Sequence, residues 1–388
     1  MSWNGTITRR QSIAAAGTAA GAAALGGTAA AVEPVGRPAV AEPVGRPAAA
    51  EPVGRPAAAE PVGRPSAGEV RAGDRAFIAV SAATVWVEPG LERPQDAPAL
   101  ANPVDMDEWN ASMEDTEARR WLVGKLETAA VLGSEVIVDE VAGEWARIVV
   151  THQGTPRDAR GYPGWVPVRQ LVVDEPFARA AATRPVAVVT AFRTVLRPTP
   201  APGGAPGRGG GLDASFNTEL PVLGRVRDLV KVQVPGAKPM YVPASDVVVR
   251  GQGEKPPVPT AEDIIATGAM MLGLRYLWGG VSAYGYDCSG FTFSIFRHHG
   301  IAMHRDAGPQ LTDSGFEPVD RADLEPGDLL FWSTKPGSDS IRHVAMYIGN
   351  DQMMQAPNSE RSVEVTDFPR DGMEDDWAGA VRVQALRR

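Results

Sequence analysis

Proline and glycine decide where this chain can hold a core, and its 34 prolines and 42 glycines are spread very unevenly. Proline fixes φ and removes a backbone donor, while glycine adds conformational freedom, so clusters of the two interrupt helices and ladders alike. The hexapeptide "EPVGRP" occurs from Glu33, Glu42, Glu51 and Glu60, a strict period of nine. Such a unit carries no large apolar side chain and has nothing to bury, so the copies cannot stack into a solenoid. Residues 32–66 therefore read as a disordered spacer, reaching about 100 Å in a polyproline II conformation, with the Glu and Arg of each copy cancelling. "RPTPAPGGAPGRGGG" (197–211) reads as a loose loop and "GQGEKPPVP" (251–259) as a short linker. Outside the spacer and the linker the chain offers three segments able to fold: 67–175, 176–250, which contains the 197–211 loop, and 260–388.

Ahead of the spacer, residues 1–31 carry adjacent arginines at 9 and 10, a weakly hydrophobic Ala/Gly run, and small residues around Ala29 to Ala31. That pattern resembles a twin-arginine export signal and implies a mature protein that is secreted or held at the cell wall. No other stretch approaches the roughly 18 apolar residues of a membrane span. The formal net charge of −9, with acidic groups bunched at 105–117 and 371–376, argues against nucleic acid as a partner.

The first two foldable segments share one texture. "AFIAVSAATVWV", "SEVIVDEVAGEWARIVV" and "GYPGWVPVRQLVV" alternate or run β-branched, with "GEW" as a hairpin tip, and "MDEWNASMEDTEARRWLVGKL" (106–126) allows a helical excursion. A second strand set runs from "RPVAVVTAFRTVL" to "KPMYVPASDVVV". Two small β-barrels in series is the economical reading.

The third segment differs. "TAEDIIATGAMMLGLRYLWGG" opens on a threonine cap with acidic residues behind it and places Ile264, Met271 and Leu272 on a helical stripe. "DCSGFTFSIFRHHG" follows and holds Cys288, the chain's single cysteine. A lone cysteine has no intramolecular partner, so it is inert packing or a reactive thiol. A helix starting there puts Phe291, Ile295 and Phe296 on one face and stops at Gly300. The sulfur then sits at the positive end of the helix dipole, where free N–H groups favour thiolate and could also hold an oxyanion.

A thiol nucleophile needs a base. Of the five histidines, His152 lies in a β region, His298 and His299 in the last turn of the proposed helix, and His304 on a loop. His343 opens the strand "RHVAMYIG", where a rigid sheet can aim its ring, and Gln355 on the next strand could accept from the second ring nitrogen and fix the tautomer. With no second cysteine and no HxxxH or HExxH spacing, no metal and no cofactor is implied.

"RYLWGG", "DCSGF", "PGDLLFW", "HVAMYIG" and "MMQAP", in that order across 260–388, resemble the NlpC-type family of papain-like cell-wall cysteine peptidases. The resemblance implies an α+β catalytic domain in which Cys288 is the nucleophile, His343 the base and Gln355 the orienting third residue. Histidine is usual at that third place, so glutamine keeps the orienting bond and drops any ionisable contribution. Tyr276, Asp287 and Ser289 become candidates for oxyanion or substrate contacts. The two β segments resemble bacterial SH3-like domains, the first through Tyr162, Gly164 and Trp165. "MHRDAGPQ" (303–310) is similar to a stretch in family members that carry two such domains and cleave γ-D-glutamyl-diamino acid bonds of peptidoglycan stem peptides with a free N-terminal L-alanine. That likeness gives Asp306, Glu127 and Tyr162 the role of holding the alanine ammonium, with His304 standing where proline is expected. The competing reading is a wall-anchoring protein with a vestigial peptidase domain.

Overall fold

The computed structural model describes residues 69–200, 211–368, 375–383 and 386. The export-signal and spacer readings, and most of the 197–211 loop, lie outside the described residues.

Alternating and β-branched segments pair as antiparallel sheets, as their period requires. In the first segment the strands run in the order Leu126–Val131, Ala82–Trp86, Tyr162–Pro167, Trp145–Val150, Glu135–Ala142, Arg75–Ile78, Leu171–Val172. The "GEW" tip is where it was expected: Ala142 pairs with Trp145 across a two-residue turn, and Gly143 takes the φ of +61° that such a turn needs. The 106–126 excursion is two short helices, Met106–Ala111 and Thr116–Arg120, capped by Asp105 and Asp115. The second segment forms a five-stranded sheet in the order Met240–Pro243, Leu229–Val232, Glu219–Val226, Val186–Val189, Val247–Arg250, beside a ribbon of Arg193–Leu196 with Leu212–Ser215. The expectation of two small β-barrels is not confirmed: among the described residues no closed barrel is seen, although an Arg197–Tyr241 bridge joins the ribbon to the Met240–Pro243 edge of the second sheet.

The third segment is α+β. Its sheet has the order Glu317–Val319, Trp377–Arg382, Leu329–Ser333, Ile341–Gly349, Gln352–Gln355, Glu364–Asp367. Among the described residues three α-helices accompany it: Ala261–Ala269, Cys288–His298 and Ala307–Thr312. Thr260 caps the first with a reciprocal bond to Asp263. Ile264 and Met271 enter the core, but the helix ends at Ala269, so Leu272 leaves the expected stripe and is exposed. The Cys288–His298 helix is wrapped on all sides: every residue from Cys288 to Phe296 is buried. It packs on the Ala261–Ala269 helix and on the Ile341–Gly349 strand. Gly290 is required where it stands, since a Cβ there would lie 2.0 Å from the Gly280 carbonyl oxygen.

Both β segments are bonded to this core. Trp278 Nε1 donates to the Leu126 carbonyl at 2.9 Å, and Asn110 Nδ2 to the Tyr284 carbonyl at 2.8 Å. From the second sheet's region, Asn217 Nδ2 donates to the Ser294 carbonyl at 2.8 Å. The Leu126–Val131 strand is thereby brought against Val281–Ser282, just ahead of the cysteine.

Candidate active site

Asp287 starts the cysteine helix. Its side chain accepts from the Gly290 N–H at 2.6 Å, an N-cap, and from the Gly279 N–H at 2.8 Å. The capped end leaves Cys288 in the first turn, with the Ser289 N–H directed at its sulfur and a second N–H, from Val344, reaching it from the sheet. Val344 follows His343, so the imidazole hangs one residue from the amide that touches the thiol.

His343 is held on two sides. Its ring lies against Trp332, centroids 5.5 Å apart, and its Nε2 is 2.7 Å from Gln355 Oε1. Gln355 Nε2 in turn donates to Thr366 Oγ1 at 3.0 Å. With the amide nitrogen committed as donor, Oε1 must accept, so His343 carries its proton on Nε2 and keeps the Nδ1 lone pair. That is the nitrogen a proton acceptor needs free.

The ionisation state differs from the expected resting thiolate. Burial, then the Asp287 carboxylate, push the Cys288 thiol up to about 12, outweighing the two amides and Arg305. Burial takes the His343 imidazole down to about 4 against the opposing Gln355 bond. Both shifts favour the uncharged forms of Cys288 and His343, because the helix end is enclosed and desolvation outweighs the dipole. Cys288 keeps 8% of its surface exposed. Tyr276 is buried nearby, and burial with the proximity of Cys288 and Asp287 holds its phenol well above the ordinary range, so it stays a donor.

Two expected contacts are spent inside the protein. Asp287 receives Arg305 Nη1 and Nη2 at 3.0 and 2.8 Å, and Ser289 Oγ accepts from Arg305 Nη1 at 3.0 Å. Their side chains serve the helix start and are not free for substrate. Arg305, 1% exposed, is the residue the sequence reading passed over. Its Nε donates to Thr128 Oγ1 at 3.0 Å, so one guanidinium bonds the cysteine helix to the first β segment. Gln310 ties the same helix to the loop that carries Arg305, donating to the Ser289 and His304 carbonyls at 3.0 Å. Both residues stand in the "MHRDAGPQ" motif, where an arginine between a histidine and an aspartate was the available signal. His304 itself is held by a bond from its N–H to Ser314 Oγ at 3.1 Å and a bridge to Gly154.

The three residues expected to hold an ammonium do converge. Tyr162 Oη donates to Asp306 Oδ2 at 2.7 Å, across 144 residues of sequence, and lies 3.5 Å from Glu127 Oε2. Asp306 precedes the Ala307–Thr312 helix yet makes no side-chain cap. Burial pushes its carboxyl up, partly offset by Arg305 and the Tyr162 bond.

With this geometry in view, comparison with known proteins gives a consistent answer. Residues 273–382 match the NlpC/P60 family, and residues 206–249 match the family described as YKFC SH3b2 domain. A gamma-D-glutamyl-L-lysine dipeptidyl-peptidase of Bacillus cereus is 40% identical over 81% of this chain and 92% of its own. The chain belongs to the NlpC/P60 family. A protein of the same name from Bacillus subtilis is 34% identical over 74% of this chain and 90% of its own. The crystal structure of an NlpC/P60 family protein from Bacillus cereus superposes with a TM-score of 0.75 at 40% identity, covering 80% of this chain and 99% of that one. This NlpC/P60 member is therefore a cysteine peptidase with an SH3b domain ahead of its catalytic domain.

Proposed function

We propose that the protein is an exported endopeptidase that cleaves the γ-D-glutamyl-diamino acid bond of peptidoglycan stem peptides bearing a free N-terminal L-alanine. Cys288 Sγ attacks the γ-carbonyl carbon as His343 Nδ1 takes the thiol proton, so charge develops only as the bond forms. Backbone N–H groups at the helix start and the Tyr276 hydroxyl receive the oxyanion. The C–N bond then breaks as His343 returns its proton to the departing amine. Water, deprotonated by the same nitrogen, releases the thioester and restores the thiol. Gln355 keeps the imidazole in the tautomer that both halves need.

Asp306 carries the substrate reading. It is a half-buried carboxylate turned away from the helix it could cap, and its one side-chain hydrogen bond among the described residues comes from Tyr162. A carboxylate accepts at about four positions, and desolvating one is offset by a cationic donor. An α-ammonium of the substrate fits that need, with Tyr162 and Glu127 beside it. Alanine still linked to sugar has no such charge. The names of the relatives from both bacilli, gamma-D-glutamyl-L-lysine dipeptidyl-peptidases, support the same bond, and a peptidoglycan substrate fits a protein working at the wall or outside the cell.

The first β segment is, in this reading, a second SH3-like module recruited as one wall of the pocket. We take the catalytic domain to begin near residue 260 and the two modules to span about 67–175 and 176–250. Cleavage of L-Ala-γ-D-Glu-L-Lys and its diaminopimelate counterpart, each beside its N-acetylated form, tests the whole proposal. Rapid release of the diamino acid from the free peptides alone is expected. Equal cleavage of both forms removes the role given to Asp306, and no cleavage of any favours the wall-anchoring alternative.

A further inference from the structure

The carboxylate beside Asp306 is already taken. Arg157, on the segment between the Trp145–Val150 and Tyr162–Pro167 strands, donates Nη1 and Nη2 to the two oxygens of Glu127 at 2.6 and 2.8 Å. Its guanidinium carbon lies 5.3 Å from the centre of the Tyr162 ring, and Nη1 is 3.5 Å from the hydroxyl that serves Asp306. A cation of the chain itself thus occupies the Glu127 side of Tyr162, while among the described residues Asp306 bonds only Tyr162 through its side chain and feels Arg305 as a neighbouring charge. Glu127 is largely covered, with 14% of its side chain exposed, whereas Arg157 is 48% exposed and can withdraw into water.

We infer that Arg157 is an internal competitor for the ammonium pocket: it withholds Glu127 from the substrate's amino terminus and so sets how strongly the enzyme selects a free amine. This rests on the ammonium reading of the pocket given above. A bidentate guanidinium satisfies both carboxylate oxygens in the plane an ammonium would approach, so Glu127 joins the substrate only as Arg157 lets go. Selection then divides between two carboxylates: Asp306 open to any α-amine, and Glu127 conditional on displacing the arginine.

The test uses the full chain and the free and N-acetylated L-Ala-γ-D-Glu-L-Lys peptides. Wild-type discrimination comes first; if both peptides are cleaved alike, the pocket reading fails and the inference falls with it. Given discrimination, Arg157→Ala is expected to lower KM for the free peptide about fivefold, and to raise the free-to-acetylated ratio of kcat/KM by the same factor, since a pair whose arginine is half in water is held only weakly. Arg157→Lys, with its charge but no two-point fit, gives a smaller drop. In a Glu127→Gln background the Arg157→Ala effect is expected to vanish. An unchanged or raised KM in Arg157→Ala overturns the inference, because it makes the arginine a support for Glu127 or a substrate contact. Persistence of the effect in Glu127→Gln overturns it as well, because the arginine then acts through the general field.

Discussion

The sulfur–imidazole pair and the carboxylate pocket are built in opposite ways. Cys288, His343 and Gln355 belong to one helix and two neighbouring strands of a single sheet, sharing one core. Asp306 lies on that unit too, but Glu127 and Tyr162 come from strands of a different sheet, more than a hundred residues earlier. Bond breaking needs a few groups fixed to within fractions of an ångström, which one core supplies. Choice of substrate needs only a wall of the right charge, which a neighbouring module can lend. Damage to the pair should therefore abolish turnover on every peptide, while damage to the pocket should change which peptide is cut.

The largest effect tests the first half of that contrast. Cys288→Ala should lower kcat about ten-thousand-fold or more on free and acetylated peptides alike, with a thermal midpoint near that of wild type. A loss confined to one peptide would mean the two regions are not separate.

Arg305 is where the contrast should break, because its guanidinium serves both sides. Arg305→Met leaves Asp287 buried without its partner and should cost about 3–5 kcal/mol in denaturant unfolding. Activity and selectivity should decline together. Adding Asp287→Asn removes the orphaned charge and keeps an acceptor for the helix cap, so the double variant should be more stable than Arg305→Met alone.

Acid separates the regions by sign. The folded pKa of His343, about 4, lies below the unfolded value near 6.5, so its contribution is complete above about pH 6.5 and is lost as pH falls through 4, about 3 kcal/mol in all. His152, His298 and His299 are also lowered by burial and act in the same direction. Asp306 is raised and acts oppositely, favouring the fold in acid and losing that contribution as pH climbs through its folded pKa. The histidines prevail in number and in burial. Urea midpoints should thus fall steadily from pH 7 to pH 4, and a His343→Gln variant should show a shallower fall.

Within the pocket, Asp306→Asn should reduce kcat/KM for the free peptide about a hundredfold, the size of one charge-assisted hydrogen bond, and shrink its advantage over the acetylated peptide. Equal losses on both peptides would instead assign Asp306 to holding Tyr162 in place.

What the sequence disclosed follows the same division. The cysteine helix and the histidine strand were legible because their determinants are local: a capping aspartate, a buried stripe, a period of two, and a partner twelve residues on. Arg305 was not, because its meaning depends on Thr128, which lies 177 residues away in sequence. Nor could strand patterns reveal that Leu126–Val131 and Leu171–Val172 end as separate edges instead of closing a barrel, since closure is decided by pairing between distant strands. The thiol was misjudged for a related reason. Position at a helix start is visible in sequence, but the depth at which that start is buried is not, and here burial governs the proton.

Gln355 gives the smallest effect expected within the sulfur–imidazole pair and the finest test of how that pair is held. Its Oε1 fixes the His343 proton on Nε2, but the ring is also packed against Trp332, so truncation removes one of two restraints. Gln355→Ala should lower kcat about tenfold with little change in KM, and a far larger loss would mean that the tautomer, not the packing, limits the enzyme. Because glutamine does not titrate, the wild-type pH profile carries no inflection from this position. Gln355→His installs an ionisable ring there, close to a second imidazole and in the same enclosed site, where two cations cannot share the space. Its kcat should therefore hold above neutrality and drop at a higher pH than in wild type as acid is added, a displacement measurable without any change in the selectivity set by Asp306 and Arg157.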